Sequence, residues 1–203
     1  MKLAIIKYNA GNIQSVLFAL ERLGAEAEVT DDAEKIKSAD KVIFPGVGEA
    51  SSAMASLKKN NLDRLIKELK QPVLGICVGM QLLCNYSEEN DTECLGIVPV
   101  AVKKFVPENF KHLNGEQRLK VPQVGWNTIY NLRSGLFTDV PEKSFIYNVH
   151  SYYAESSEHT IANCWYGIEY AAAVRQNNFY GVQFHTEKSA GVGDKIIKNF
   201  LAL

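Results

Sequence analysis

A cysteine in a glycine-flanked turn is the residue of this chain best placed for nucleophilic chemistry. Cys77 stands at the centre of the segment Gly75–Gly79, after the apolar run Pro72–Leu74 and before a helical pattern. A reactive residue flanked two positions away by glycines, between a strand and a helix, is typical of a nucleophile elbow. We expect the two glycines to permit the strained turn and close helix–strand packing. The N-terminus of the helix should favour the thiolate.

A histidine far downstream supplies the base that such a cysteine needs. The segment Gly181–His185 is interpreted as a short strand that ends at His185, and Glu187 follows two residues later. An imidazole accepts the thiol proton when its other nitrogen is held by an acceptor such as a carboxylate. Alone, Cys77 could be a packing residue and His185 a satisfied polar residue at a strand end. Together with the elbow glycines, they indicate a catalytic triad of Cys77, His185 and Glu187.

A second glycine-rich turn is a candidate oxyanion site. The apolar strand 41–44 leads into the turn Pro45–Gly48, one β-α unit before the elbow, and so next to it in a parallel sheet. Acyl transfer needs donors aimed at the developing oxyanion. We expect one donor to be the backbone N–H of Val78 and the second to come from Val47 or Gly48. The alternative is a plain turn that ends the strand.

Six segments between residues 11 and 189 match a known family. The elbow and the His-x-Glu pattern mark its superfamily, and the Gly-Trp-Asn and Pro-Gly-Val-Gly motifs point to one subfamily. With them the chain resembles the class I (triad) glutamine amidotransferases, and among these the glutaminase subunits of imidazole glycerol phosphate synthases. Departures at Lys7, Val78, Gln123 and Thr186 leave open a paralogue that serves a different synthase. The matching segments are Gly11–Val16, Pro45–Gly48, Gly75–Leu83, Val121–Asn127, Val149–Tyr152 and Gln183–Ser189.

The resemblance implies hydrolysis of glutamine through a thioester, without metal or cofactor. Because free ammonia is protonated in water, it implies a heterodimer with a (β/α)8-barrel cyclase subunit that takes the ammonia to make imidazole glycerol phosphate. The implied substrate-binding residues are Gln81, Glu89, His150, Ser151 and Tyr152, and the implied interface residues are Asn12, Trp126, Tyr147 and Lys188.

Three alternatives stay open for the function and two for local features. The chain could serve another synthase, be a cysteine hydrolase or peptidase of related fold, or be a non-catalytic scaffold, against which the intact triad argues. Trp126 could be a core tryptophan. The loop 107–120, with Lys111, His112, Arg118 and Lys120, could be solvated or contact a partner.

Composition is consistent with one α/β domain spanning residues 1–203. The 22 Lys and Arg against 23 Asp and Glu give no charge excess for nucleic acid or membrane. The cysteines at 77, 84, 94 and 164 lack a Cys-x-x-Cys spacing. We therefore expect no disulfide framework or zinc site, and a reducing cytoplasm. The apolar run near the N-terminus is too short for the apolar region of a signal peptide. The sequence also has no apolar run long enough for a transmembrane helix.

The order of predicted elements favours a three-layer, mostly parallel, doubly wound sheet with an antiparallel extension. Strands and helices alternate up to the elbow, which is typical of parallel sheets. The pattern predicts a first helix stopped by Gly24, one helix over 50–69 and a final helix over 193–203. Later strands are predicted at 95–106, 119–130, 144–153, 161–174 and 178–185, and the acidic segment 86–93 is interpreted as a solvated loop.

Overall fold

The computed structural model describes residues 1–9, 12–109 and 119–203 of the chain. In these ranges, thirteen strands form one sheet and six α-helices pack around it. The strands are β1 (Leu3–Ile6), β2 (Glu28–Thr30), β3 (Lys41–Phe44), β4 (Val73–Ile76), β5 (Tyr86–Ser87), β6 (Thr92–Glu93), β7 (Ala101–Lys104), β8 (Gln123–Tyr130), β9 (Ser144–His150), β10 (Tyr152–Ala154), β11 (Thr160–Trp165), β12 (Glu169–Gln176) and β13 (Phe179–Val182). The helices are α1 (Ile13–Arg22), α2 (Ala33–Ser38), α3 (Ala50–Lys59), α4 (Leu62–Glu68), α5 (Val78–Leu83) and α6 (Ala190–Ala202).

The first half of the sheet is parallel, in the order β2-β1-β3-β4-β13. Every residue of β1, β3, β4 and β13 is buried. Such continuous apolar strands are expected where helices cover both faces of a parallel sheet. Helix α1 turns Val16, Ala19 and Leu20 inward and ends as predicted, since Gly24 adopts a left-handed φ of 69°.

The antiparallel extension begins where β12 pairs with β13. It continues through β10 and β7 to the short strands β5 and β6, while a branch through β11 leads to the long β8–β9 hairpin. Because β13 pairs with β4 in parallel on its other side, it joins the two parts of the sheet. The predicted α/β class, a parallel sheet with an antiparallel extension, is confirmed.

Two predicted elements are each split in two. The helix predicted over 50–69 is interrupted between α3 and α4, because Asn61 adopts a left-handed φ of 55°, which asparagine tolerates. The strand predicted over 161–174 is an antiparallel pair, β11 and β12, that reverses at Gly167, where φ is 73°. A run of apolar residues does not by itself reveal a tight turn within it.

Several boundaries also differ from the sequence-based expectation. The strand predicted over 95–106 is reduced to β7, and the acidic segment 86–93 contains the hairpin of β5 and β6. The strand predicted over 144–153 is broken at Ser151 into β9 and β10, and the last helix begins at Ala190. The loop residues Lys111, His112 and Arg118, and the motif residue Gly11, lie outside the described residues.

No helix in the described ranges has both the length and the apolar composition required to cross a bilayer.

Candidate active site

Cys77 lies between β4 and α5 in a strained backbone conformation. Its φ of 54° and ψ of −112° are unusual for a residue with a side chain, so the strain resides on Cys77 itself. Neither Gly75 nor Gly79 has a positive φ, which corrects the expectation that these glycines supply the strained turn. They are needed for close packing instead: a Cβ on Gly79 would lie 2.0 Å from the carbonyl oxygen of Phe44.

Sheet order brings His185 to the cysteine. Strands β4 and β13 are parallel neighbours, with Ile76 opposite Val182. Cys77 follows the end of β4 and His185 lies three residues beyond the end of β13, so both occupy the carboxyl edge where parallel sheets bind their ligands. A 3₁₀ turn over Thr186–Lys188 then directs Glu187 back toward the imidazole.

The imidazole of His185 is held by a buried carboxylate. Its Nδ1 lies 2.7 Å from Oε1 of Glu187, which also accepts a 3.2 Å hydrogen bond from Nδ2 of Asn12. Burial alone would lower the pKa of His185, but hydrogen bonds with Cys77 and Glu187 outweigh it and raise this pKa to about 10. The environment therefore favours an imidazolium beside the sulfur.

The candidate oxyanion donor is occupied in this conformation. The Val78 N–H donates to the carbonyl oxygen of Gly46 at 3.3 Å. The turn is packed tightly against the elbow, since a Cβ on Gly46 would lie 2.5 Å from the nitrogen of Gly79. The buried hydroxyl of Tyr8 donates to the carbonyl oxygen of Pro45 at 2.6 Å and holds the start of the turn. The Val78 N–H is thus available to a substrate only after the Gly46 carbonyl moves away.

One cleft of about 410 Å³ collects most of the residues singled out from the sequence. It also includes Pro122 and Val149, which sequence reasoning did not select because they carry no reactive group. Trp126, Tyr147 and Glu187 are absent from its lining, and Glu187 lies buried behind His185. Those predicted and found there are Asn12, Val47, Gly48, Cys77, Val78, Gln81, Glu89, His150, Ser151, Tyr152, His185 and Lys188.

The segment from His150 to Tyr152 is fixed by its own carbonyls. The Tyr152 oxygen accepts from Nδ1 of His150 at 2.7 Å and from Nε2 of Gln81 at 3.1 Å, and the Ser151 oxygen accepts from the Phe105 N–H at 3.0 Å. Burial lowers the pKa of His150 to about 4, so this ring is neutral at physiological pH and serves as a donor. The side chain of His150 thus orders the segment rather than transferring protons.

Glu89 reaches the cleft from the β5–β6 hairpin. Its Oε2 accepts the Ala50 N–H at 2.7 Å, at the start of α3, where no local side chain caps the helix. Burial raises the pKa of this carboxyl above its ordinary value. The contact with α3 fixes one carboxylate oxygen and leaves the group lining the cleft beside Gln81.

A buried glutamine next to the sulfur was missed. Gln183 is fully buried, and its Nε2 lies 3.8 Å from Sγ of Cys77. The available signal was a polar residue inside the otherwise apolar strand pattern of 181–184. An amide at a fully buried position is expected to have specific hydrogen-bond partners.

The outer face of the β8–β9 hairpin is apolar and exposed. Trp126 is 54% exposed, so its interpretation as a core tryptophan is wrong. Its ring lies 5.7 Å from that of Tyr147 in an edge-on arrangement, and the two residues are direct cross-strand partners. We call this surface the β8–β9 apolar face; its members are Val124, Trp126, Phe145, Tyr147 and Val149.

Within the described ranges, no cluster of three or more His, Cys, Asp or Glu side chains is arranged to hold a metal ion. All four cysteines are free and buried. Burial raises the pKa of Cys94 to about 12 and that of Cys164 to about 11, which makes both poor nucleophiles.

The chain is similar to known proteins over its whole length. The family model described as "Glutamine amidotransferase class-I" matches residues 4–203. Two curated relatives carry the name "Imidazole glycerol phosphate synthase subunit HisH": one from Bacteroides fragilis (strain YCH46), 55% identical, and one from Bacteroides thetaiotaomicron, 52% identical, each aligned over 203 residues and all of both chains.

Solved structures support the fold alone. A structure described as a glutamine amidotransferase superimposes with a TM-score of 0.72 at 16% identity, covering 100% of this chain and 98% of the other. The structure of PurLQS from Thermotoga maritima superimposes with a TM-score of 0.66 at 18% identity, covering 99% of this chain and 97% of the matched chain.

Proposed function

The chain belongs to the class I glutamine amidotransferase family, and from that premise we propose that it is the glutaminase subunit of an imidazole glycerol phosphate synthase in histidine biosynthesis. Relatives with that subunit name align with it over their full length. The observation that carries the proposal is the position of His185, which lines the same cleft as Cys77 and whose Nδ1 lies 2.7 Å from Oε1 of the buried Glu187.

The proposed reaction is hydrolysis of the side-chain amide of glutamine. The Cys77 thiolate attacks the amide carbon, and the tetrahedral intermediate collapses as the C–N bond breaks. Protonated His185 gives its proton to the leaving nitrogen, which departs as ammonia, and a glutamyl thioester remains. His185 then takes a proton from water as that water attacks the thioester, and glutamate leaves as the thiolate re-forms. Glu187 orients the ring throughout and stabilises it whenever it is protonated.

The same residues suggest how glutamine is oriented. Glu89 offers a fixed, half-buried carboxylate to the α-amino group, and Gln81 lies beside it. Since the Tyr152 carbonyl already accepts two hydrogen bonds, we assign the substrate contacts of residues 150–152 to their backbone N–H groups. The N–H groups of Val78 and of Val47 or Gly48 receive the oxyanion once the Gly46 carbonyl has moved away.

The partner is proposed to be a (β/α)8-barrel cyclase subunit, bound as a heterodimer without nucleic acid or membrane. The β8–β9 apolar face offers Trp126 and Tyr147 as the aromatic anchors that interfaces favour. Asn12 and Lys188 line the cleft and lie at the proposed passage of ammonia to the partner. The four free cysteines suit a reducing cytoplasm, and residues 1–203 are proposed to act as one domain.

The test is to identify the partner and the product together. Tagged chain is purified from its native cell extract and the bound synthase is identified by mass spectrometry. The recombinant complex is then assayed for imidazole glycerol phosphate formed with glutamine or with ammonium salt. We expect a cyclase partner and synthesis from both nitrogen sources, with Cys77→Ala retaining only the ammonium-dependent reaction.

Two results would contradict the proposal in different ways. Recovery of another synthase, with glutamine-dependent transfer to its substrate, would identify a paralogue that serves a different pathway. Turnover of peptides or esters without turnover of glutamine would identify a cysteine hydrolase of related fold.

A further inference from the structure

A relay of two buried amides connects the substrate cleft to the reactive sulfur. Nε2 of Gln81 lies 3.1 Å from the Tyr152 carbonyl oxygen and 2.9 Å from Oε1 of Gln183. Nε2 of Gln183 lies 3.8 Å from Sγ of Cys77. Gln183 is fully excluded from solvent and Gln81 is 3% exposed, so water cannot substitute for these contacts.

The direction of each hydrogen bond follows from the end of the relay. A backbone carbonyl can only accept, so the atom of Gln81 facing the Tyr152 oxygen must be the amide nitrogen. The second hydrogen of that nitrogen points to Gln183, which must therefore present its oxygen. The amide nitrogen of Gln183 is left facing the sulfur, as a donor.

The sulfur therefore lies between a donor and an acceptor. The Cys77 thiol can donate to the Val149 carbonyl oxygen, 4.0 Å away. The thiolate has no hydrogen for that carbonyl, whereas the hydrogen bond from Gln183 strengthens once its acceptor is charged. Of these two contacts, only the one from Gln183 favours the reactive form of Cys77.

We propose that Gln183 is a further catalytic residue, an amide donor that stabilises the Cys77 thiolate, and that Gln81 acts as a positioning residue by fixing the orientation of the Gln183 amide. The proposal rests on the assignment of Cys77 as nucleophile. It adds a third group to the sulfur's environment, since His185 supplies charge and a proton whereas Gln183 supplies a neutral donor that never titrates.

Alkylation of Cys77 by iodoacetamide tests the donor without any need for glutamine. The rate of carboxamidomethylation at Cys77 is followed by peptide mass spectrometry between pH 4 and 10 in the full chain. Gln183→Met keeps the approximate shape and removes both polar atoms. We expect the pH of half-maximal rate to rise by about one unit, the size expected when a hydrogen bond to a charged group is lost.

Two further variants separate this role from general damage. Gln81→Met leaves the donor in place but frees its orientation, so we expect a smaller shift in the same direction. Gln176→Met, at the end of β12, makes the same chemical change away from the cleft and should leave the alkylation profile unchanged. If Gln183→Met does not fold, Gln81→Met carries the test alone.

The outcomes are distinct. A folded Gln183→Met protein with an unshifted alkylation profile, or a destabilised Gln81→Met protein with an unshifted profile, would overturn the donor role and leave a structural one. A shifted alkylation profile in a chain that never hydrolyses glutamine with its partner would instead overturn the proposed function. With glutamine and partner present, we expect Gln183→Met to lower kcat near pH 7 and to recover part of it at higher pH, with KM nearly unchanged.

Discussion

The two halves of the sheet differ in how their strands meet solvent. Strands β4 and β13, which lead to Cys77 and His185, are buried at every position. Strands β8 and β9 alternate instead, and their outward side chains form the exposed β8–β9 apolar face. The parallel half therefore holds Cys77 and His185 by its own packing, whereas the antiparallel half has an apolar surface that stays exposed among the described residues.

Strand β9 contributes both to the β8–β9 apolar face and to the surroundings of Cys77 and His185. Its outward residues Tyr147 and Val149 are part of the apolar face, while its backbone reaches the reactive groups. The Tyr147 carbonyl accepts the backbone N–H of His185 at 2.9 Å, and the Val149 carbonyl lies 4.0 Å from Sγ of Cys77. A partner that binds this face thus contacts the strand that borders the sulfur and the imidazole.

Removing the nucleophile should have the largest effect. We expect Cys77→Ala to lower glutamine hydrolysis by roughly 10,000-fold or more, since no other group forms the thioester. Stability should change little in comparison, because the fold is held by the buried strands. A glutamine-like electrophile should label Cys77 and spare Cys84, Cys94 and Cys164, as read by peptide mass spectrometry. Labelling of a different cysteine, with Cys77 untouched, would contradict the assignment.

Loss of the base comes next. We expect His185→Ala to reduce turnover of glutamine by about 1,000-fold or more, because proton transfer to and from the thiol and the leaving nitrogen is lost. Glu187→Gln should cost less, since it disturbs the orientation of the ring and weakens its charged form. Steady-state kinetics from pH 6 to 10 measure both. Full activity of Glu187→Gln over that range would remove Glu187 from the triad.

Partner binding should gate the oxyanion site. In the conformation described, the Val78 N–H is taken by the Gly46 carbonyl, so we expect slow glutamine turnover by the free chain. Glutamine turnover by the complex with its synthase ligand should be higher by on the order of 100-fold, the usual contribution of one oxyanion donor to kcat. Glutamate release is measured for the free chain, the complex and the liganded complex. Equal rates in all three would exclude gating, and Lys188→Ala should weaken the rise.

The apolar face gives a smaller and more local prediction. Trp126→Ala should weaken binding of the synthase by about 30-fold, a typical cost for an aromatic interface anchor. It should leave the melting temperature of the free chain nearly unchanged, because the side chain is 54% exposed. Leu203→Ala, at the exposed C-terminus, is the matched control and should leave affinity unaltered. The affinity of each variant for the synthase is measured by isothermal titration calorimetry. Unchanged affinity for Trp126→Ala would show that the interface lies elsewhere.

The smallest expected effect is on stability. The pKa of His185 is raised from 6.5 to about 10 in the folded chain, so the folded state holds this proton more tightly than the unfolded state. The stabilisation that protonated His185 gives to the folded state is fully present below pH 6.5 and is lost as pH rises toward 10. Urea denaturation at pH 6.5, 8 and 10 should show a shallower decline for Glu187→Gln than for the parent chain. The exposed control Glu26→Gln should follow the parent.

Some features of the fold and of the candidate site could be predicted from the sequence because their signals are local. The stop of α1 at Gly24, the strands that flank the elbow and the reactive types at 77, 185 and 187 each depend on a few consecutive residues. The break between α3 and α4 and the reversal at Gly167 were missed, because Asn61 and Gly167 lie inside patterns that also suit a continuous element.

The sequence by itself determined the family and the candidate reactive groups, because the elbow, the His-x-Glu pattern and the glycine-rich turn are short motifs whose chemistry lies in residue type and spacing. Tertiary structure alone decided which partners surround them. Gln183 meets Cys77 across 106 positions of sequence, and Gly46 meets Val78 because β3 and β4 are neighbours. Whether Trp126 was core or surface likewise depended on which side of β8 the remainder of the chain covers. These are non-local contacts, set by strand order and packing, and no window of consecutive residues encodes them.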